Sequence, residues 1–269
     1  MEAVIDSDGG PAPAFYRADE PGRFLSGPAT ASPWGPDSQH GGPPAALLAR
    51  AIERLPRDAP RVVGRLTVEL LGPVPVGRLR VDAHVVRPGR SVELCAATLY
   101  DEALDRPCAR ASAWLFPLTE DGPEPGTAPL PHTPDEGVSH DRPPSWSAGY
   151  LDAVDWRWIR GAVLDPGPAV VWMRPTLDLV AGEATTPVQR LMIVADSASG
   201  VSAVLDPSAW RFLNTELTVH VLRPPVGDWL CLDAETTLSS GRIGVATSRM
   251  YDARGPVART AQALLIARR

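Results

Sequence analysis

The chain has 269 residues and no lysine: all 26 basic side chains are arginine. Alongside abundant alanine, proline and glycine, this reads as coding bias rather than selection for bidentate anion contacts. A formal net charge of −6 excludes a non-specific nucleic-acid binder, whose affinity would come from a broadly basic surface; a local basic pocket stays open. Cysteine is scarce as well. Cys95, Cys108 and Cys231 are odd in number and form no CxxC pair, which argues against a disulfide framework or a zinc cluster and leaves them as buried thiols. His84, His132, His140 and His220 lack metal-ligand spacing such as HExxH, so no metal is expected. No GxSxG elbow is present, which removes the usual sequence argument for a serine hydrolase. No stretch is long and apolar enough to span a bilayer, and "MEAVIDSDGG" lacks the basic and apolar regions of a signal peptide. A reducing cytoplasm is the expected compartment. The eight tryptophans are scattered and fit core packing better than nucleic-acid stacking.

What is present is a repeat. "LTVELLGPVPVG" from Leu66 returns as "LTVHVLRPPVG" from Leu217, an offset of 217 − 66 = 151. Asp82-Ala83 against Asp233-Ala234 and Tyr100-Asp101 against Tyr251-Asp252 keep the same offset. "CARASAWL" from Cys108 stands opposite "VARTAQALL" from Val257, with small insertions between. A duplication explains this register. In the first copy "HGGPPAALLARAIERL" reads as a buried helix, with prolines in the first turn and Ala45, Leu48, Ala49 and Ile52 at helical spacing. Four strand-like segments follow, with alternation clearest in Leu79, Val81, Ala83 and Val85. The second copy is expected to start a shorter helix near Asp196 in "VADSASGVSAVL", followed again by four strands. "VDWRWIRG" and "AVVWMRP" supply its leading strands. The stretch from 117 to 146, dense in proline and acidic residues, reads as an exposed linker. The expected division is therefore an N-terminal unit over 1–116, a linker over 117–146 and a C-terminal unit over 147–269.

A helix wrapped by an antiparallel sheet, written twice, resembles the double-hotdog acyl-CoA thioesterases of the type II kind. The resemblance is carried by "QHGGPPAALLARA", "ADSASG", "LNTELTVHVLRPPVGDWLCLDAET" and "YDARGPVARTAQALL". It implies an α+β tandem hotdog covering nearly the whole chain, a thioester hydrolase that needs no cofactor, and acyl-CoA as the substrate. It further implies an Asp at the start of the second helix, a hydroxyl or amide on the next strand and a Gln on the last strand, together holding the hydrolytic water. Those positions correspond to Asp196, Asn214 and Gln262. The family often has Thr or Ser where this chain has Asn214, but an amide can still donate to or accept from water.

Each residue also has a plainer reading. Asp196 fits an ordinary helix N-cap, Asn214 a turn residue, and Gln262 a solvated side chain rather than a buried, hydrogen-bonded amide. In "HGGPP", Pro43 and Pro44 have no N–H, so Gly41 and Gly42 carry the last free amides before the helix and could receive an oxyanion; a simple glycine turn is the alternative. His40 could contact substrate or help close the site, or be structural.

The favoured function is hydrolysis of a fatty acyl-CoA thioester to free acid and coenzyme A. The alternative from another class is a non-catalytic acyl-CoA or acyl-carrier binder with the same cleft. An enoyl-CoA hydratase would need an acid/base pair for which no motif is seen. A tandem chain carries its own pseudo-two-fold partner, so one chain is expected to be catalytically complete whether or not it forms a homo-oligomer. Only the second copy carries the polar set; Ala113 faces Gln262, and the first copy is expected to lack a matching carboxylate.

Overall fold

A computed structural model of the chain describes residues 13–119, 130, 132–163 and 165–269. In the first copy, β1 (Ala14–Glu20), β2 (Arg23–Ser26) and the hairpin β3 (Ala31–Ser32) and β4 (Gly35–Gln39) precede α1 (Gly42–Glu53). Then come β5 (Arg61–Leu70), β6 (Arg78–Arg87), β7 (Glu93–Asp101) and β8 (Arg106–Pro117). The second copy begins with β9 (Val154–Arg160), β10 (Ala169–Pro175) and β11 (Asp178–Val180), which lead into α2 (Pro187–Ala195) and the short α3 (Ala198–Val201). It ends with β12 (Trp210–Asn214), β13 (Glu216–Val221), β14 (Leu230–Leu238), β15 (Ile243–Asp252) and β16 (Gly255–Arg268).

One sheet takes up both copies in the order β11-β1-β2-β6-β7-β8-β5-β13-β16-β15-β14-β10-β9, with β12 also paired to β16. Its pairs are antiparallel except β1 with β11. The copies join where β5 meets β13, and the register there pairs Thr67 with Thr218. These residues are 151 apart, and their hydroxyls lie 3.1 Å from each other. The sequence repeat is thus the pseudo-two-fold axis of a double hotdog. Strand alternation matches this placement: β7 alternates buried and half-buried along its whole length, as a strand with one face on the core must.

Helix α1 is buried almost all round, from Gly42 through Arg50 and again at Ile52, as expected for a helix whose sequence is apolar on every face. It packs antiparallel to α2. The start of α1 meets the end of α2, and at the other end Arg50 donates twice to the Glu183 carboxylate at 2.7 Å.

The second helix differs from its expected position. It does not start near Asp196; it runs Pro187–Ala195 and ends there. Thr186 caps it, accepting from Gln189 N while the Gln189 side chain returns to Thr186 N. "TPVQ" is a capping box with proline in the first turn, a signal that the apolar run behind it obscured. Cys95, Cys108 and Cys231 are buried and unbridged. Burial pushes the Cys108 thiol up to about 11.

Candidate active site

Asp196 occupies the break between α2 and α3: its backbone is still helical, and the next residue, Ser197, is the N-cap of α3. The plain N-cap reading of Asp196 is therefore wrong, because it closes one helix rather than opening another. The antiparallel helix pair carries its carboxylate to the first turn of α1, where His40, Gly41 and Gly42 stand.

Strands supply the other two groups. Asn214 ends β12 and donates from Nδ2 to Asp196 Oδ1 at 2.7 Å. Gln262, on β16, is completely buried and donates from Nε2 to Asp196 Oδ1 and to its backbone oxygen, each at 3.1 Å. Its Oε1 accepts from Ser199 N at 3.1 Å. That set fixes the amide orientation, since both Asp196 atoms are acceptors and Ser199 N is a donor. A solvated Gln262 is excluded: the amide is spent on orienting Asp196.

On the helix side, His40 Nδ1 is 3.1 Å from Gly42 N, which donates to it, and 3.3 Å from Asp196 Oδ2. A ring nitrogen has one in-plane position, so these contacts belong to different protonation states of the ring. Burial lowers the His40 pKa below 6.5, against the opposing pull of Asp196. The neutral ring accepts from Gly42. His40 lies flat on Tyr150, with centroids 3.7 Å apart and planes within 1°. Tyr150 OH donates to Ile193 O at 2.8 Å and so accepts from Ser197 Oγ at 2.8 Å.

The glycines have a packing reason distinct from the one read in the sequence. A Cβ on Gly41 would lie 2.7 Å from Asp196 Oδ2, and one on Gly42 would lie 2.1 Å from Ile193 O. They are what lets the two helix ends touch and the carboxylate reach α1. All six residues singled out in the sequence, Asp196, Asn214, Gln262, His40, Gly41 and Gly42, thus meet in one place.

A cavity of about 800 Å³ opens beside them, with His40, Gly41, Asp196 and Asn214 in its wall. Here the sequence reading missed two things. Five of the eight tryptophans, Trp34, Trp146, Trp156, Trp158 and Trp210, line the cavity, although Trp158 also belongs to the core and Trp156 packs against it. The proline-rich stretch also contributes: His140, Arg142 and Trp146 form wall, Val138 bridges to Trp158, and Trp146 meets Trp34 edge to face at 5.0 Å. The alternation of Trp156 and Trp158 on one strand face was the available signal.

Models of the acyl-CoA thioesterase N-terminal and C-terminal domains match residues 30–116 and 134–266. The chain belongs to the acyl-CoA thioesterase family. Among solved structures, a putative thioesterase II from Thermobifida fusca YX matches with TM-score 0.75 and 20% identity, over 96% of this chain and 100% of that one. A hot dog fold protein of unknown function from Alicyclobacillus acidocaldarius matches with TM-score 0.73 and 18% identity, over 93% and 95%. The acyl-CoA thioesterase II TesB2 from Mycobacterium marinum matches with TM-score 0.65 and 13% identity, over 94% and 96%. At these identities the likeness is one of fold. Among curated proteins, none matches. Family and fold together support thioesterase activity on acyl-CoA in general. No helix among the described residues is long and apolar enough to cross a membrane.

Proposed function

We propose that this thioesterase-family chain hydrolyses acyl-CoA through a water activated by Asp196, with Asn214 and Gln262 holding that carboxylate in place. The observation that carries the reading is the Asp196 carboxylate, hydrogen-bonded by two amides from two strands and set against the start of α1 at the wall of a large cavity. A carboxylate fixed in this way by neutral amides can take a proton without having to reorganise.

In the proposed step the water oxygen attacks the thioester carbonyl carbon while its proton passes to Asp196. The carbonyl π pair moves onto oxygen, and the oxyanion is met by the backbone N–H of Gly41, which lines the cavity; the Gly42 N–H expected beside it is already taken by His40 Nδ1. Collapse breaks the carbon–sulfur bond. The proton on Asp196 returns to the departing thiolate, giving free acid and coenzyme A. Asn214 keeps its Oδ1 to accept from the attacking water. Arg142, Arg211 and Arg269 in the cavity wall suit the phosphates of coenzyme A.

The test is release of free thiol from acyl-CoA by the purified chain, alongside calorimetric titration of the same ligands. Turnover above the uncatalysed rate supports the hydrolase. Saturable binding with no thiol released would leave a non-catalytic acyl-CoA binder.

A further inference from the structure

The hydrolytic reading gives no work to the aromatic side of the cavity, whose lining rings His40, Trp156, Trp158 and His140 are linked through Tyr150, fully buried behind them. His40, 3.3 Å from Asp196, stacks on Tyr150. Tyr150 meets Trp156 edge to face at 6.3 Å and 82°. Trp156 lies nearly parallel to Trp158, at 6.3 Å and 15°, because residues two apart on β9 leave the same strand face. His140 then packs edge-on to Trp158 at 6.2 Å and 66°. The series starts at the reacting end of the cavity and leads away from it.

Trp158 is 6% exposed and lines the cavity, and Trp156 is fixed beside it by its indole N–H, which donates to Leu151 O at 2.9 Å. Rigid indole faces favour a flat guest, whose ring can stack or meet them edge to face. A flexible alkyl chain gains only contact area from such walls and loses rotamer freedom when it is ordered along them.

We propose that the acyl subsite takes a flat, ring-bearing acyl group in preference to a straight alkyl chain. The proposal rests on the hydrolase reading for its turnover but not for its binding preference.

Octanoyl-CoA and phenylacetyl-CoA have eight acyl carbons each, so they differ in shape rather than size. The expected kcat/KM for phenylacetyl-CoA exceeds that for octanoyl-CoA by at least about tenfold, or about 1.4 kcal/mol. Trp156→Leu should cut the ring preference below about threefold.

The thioethers octyl-CoA and 2-phenylethyl-CoA, which cannot be hydrolysed, are titrated in parallel by calorimetry. If no thioester releases thiol while the phenylethyl thioether binds at least about tenfold tighter, the hydrolase reading falls and the ring subsite stands. Octyl-CoA binding as tightly or more tightly overturns the subsite, whatever the turnover.

Discussion

Glu53 is the counterpart of Asp196. Each stands nine residues after a proline of its own helix's first turn, Pro44 and Pro187, and each reaches the start of the opposite helix. Glu53 accepts from Thr186 Oγ1 at 2.9 Å and from Gln189 Nε2 at 2.7 Å. The expectation that the first copy lacks a matching carboxylate is therefore corrected. The strand registers complete the comparison: Val63 pairs with Leu115 as Asn214 pairs with Leu264, and Ala113 lies opposite Leu66 as Gln262 lies beside Leu217. The first copy presents Glu53, Val63 and Ala113 where the second presents Asp196, Asn214 and Gln262.

The first prediction concerns that silent end. Glu53 is committed to capping α2 and has no amides from the strands to aim it, so Glu53→Gln should leave turnover within about twofold. Its effect should appear in stability. Burial raises the Glu53 carboxyl above 4.5, against hydrogen bonds from Gln189 and Thr186 and the charges of Arg57 and Arg54. The folded state then holds a proton that the unfolded chain releases, so this contribution is full below pH 4.5 and is lost as pH rises through the folded value. The urea midpoint of Glu53→Gln should gain on wild type between pH 4.5 and 7.5. Parallel midpoint curves for the two proteins would refute the assignment.

Asp196→Asn is the second. Asn can present its carbonyl oxygen to Asn214 and Gln262, so the fold should hold. A base is lost, and turnover should fall by roughly 10²- to 10⁴-fold with acyl-CoA affinity little changed. Steady-state hydrolysis and calorimetry decide it: wild-type turnover sinks the role of Asp196, and lost binding in a folded variant makes it a substrate-holding residue.

How much of this was legible in the sequence follows from what fixes each feature. Strand register is locked by a ladder of hydrogen bonds, so the 151-residue offset survived from Thr67 to Thr218 and exposed the duplication. Loops tolerate insertion, and the offset falls to 143 between the helices, from Pro44 to Pro187. That shift concealed Glu53 from an alignment made on strands. Asp196, Asn214 and Gln262 could be picked out through the family resemblance, Gln262 also because it interrupts an apolar strand. Their geometry could not, since it depends on two helix ends touching through Gly41 and Gly42. The tryptophans of the cavity were hidden for a related reason: Trp34, Trp146 and Trp210 come from three distant segments, and only folding brings them to one wall.

Gln262→Leu gives the third prediction. The replacement matches the apolar strand but leaves Ser199 N–H and two Asp196 oxygens short of partners inside the protein. A buried polar group left unmatched costs about 1–3 kcal/mol, so the variant should lose that much in urea unfolding. Turnover should fall as well, because Asn214 alone must then orient the carboxylate. A variant as stable and active as wild type would mean that the amide is dispensable to the site.

The last prediction uses His40 as a pH-sensitive neighbour of Asp196. Burial holds its pKa below 6.5 despite the nearby carboxylate, so at neutral pH Nδ1 is free to accept from Gly42 N–H. When the ring takes a proton, Nδ1–H turns from acceptor to donor, faces Asp196 Oδ2 at 3.3 Å and pairs with it. Gly42 loses its acceptor, and the proposed base is tied up as half of an ion pair. The value of kcat/KM should therefore be flat near pH 7–8 and fall on the acid side, below pH 6.5. Stability should move in the same direction: the unfolded chain binds the His40 proton at a higher pH than the folded one, so folding is weakened as pH drops from 6.5 through the lowered folded value. His40→Asn keeps an acceptor near Nδ1 but cannot be protonated. It should show a shallower acid loss of kcat/KM and a smaller drop in urea midpoint between pH 7 and pH 5, offset by some general loss of stability from the missing stack on Tyr150. Identical pH profiles for the two proteins, in both rate and midpoint, would remove His40 from any part in controlling Asp196.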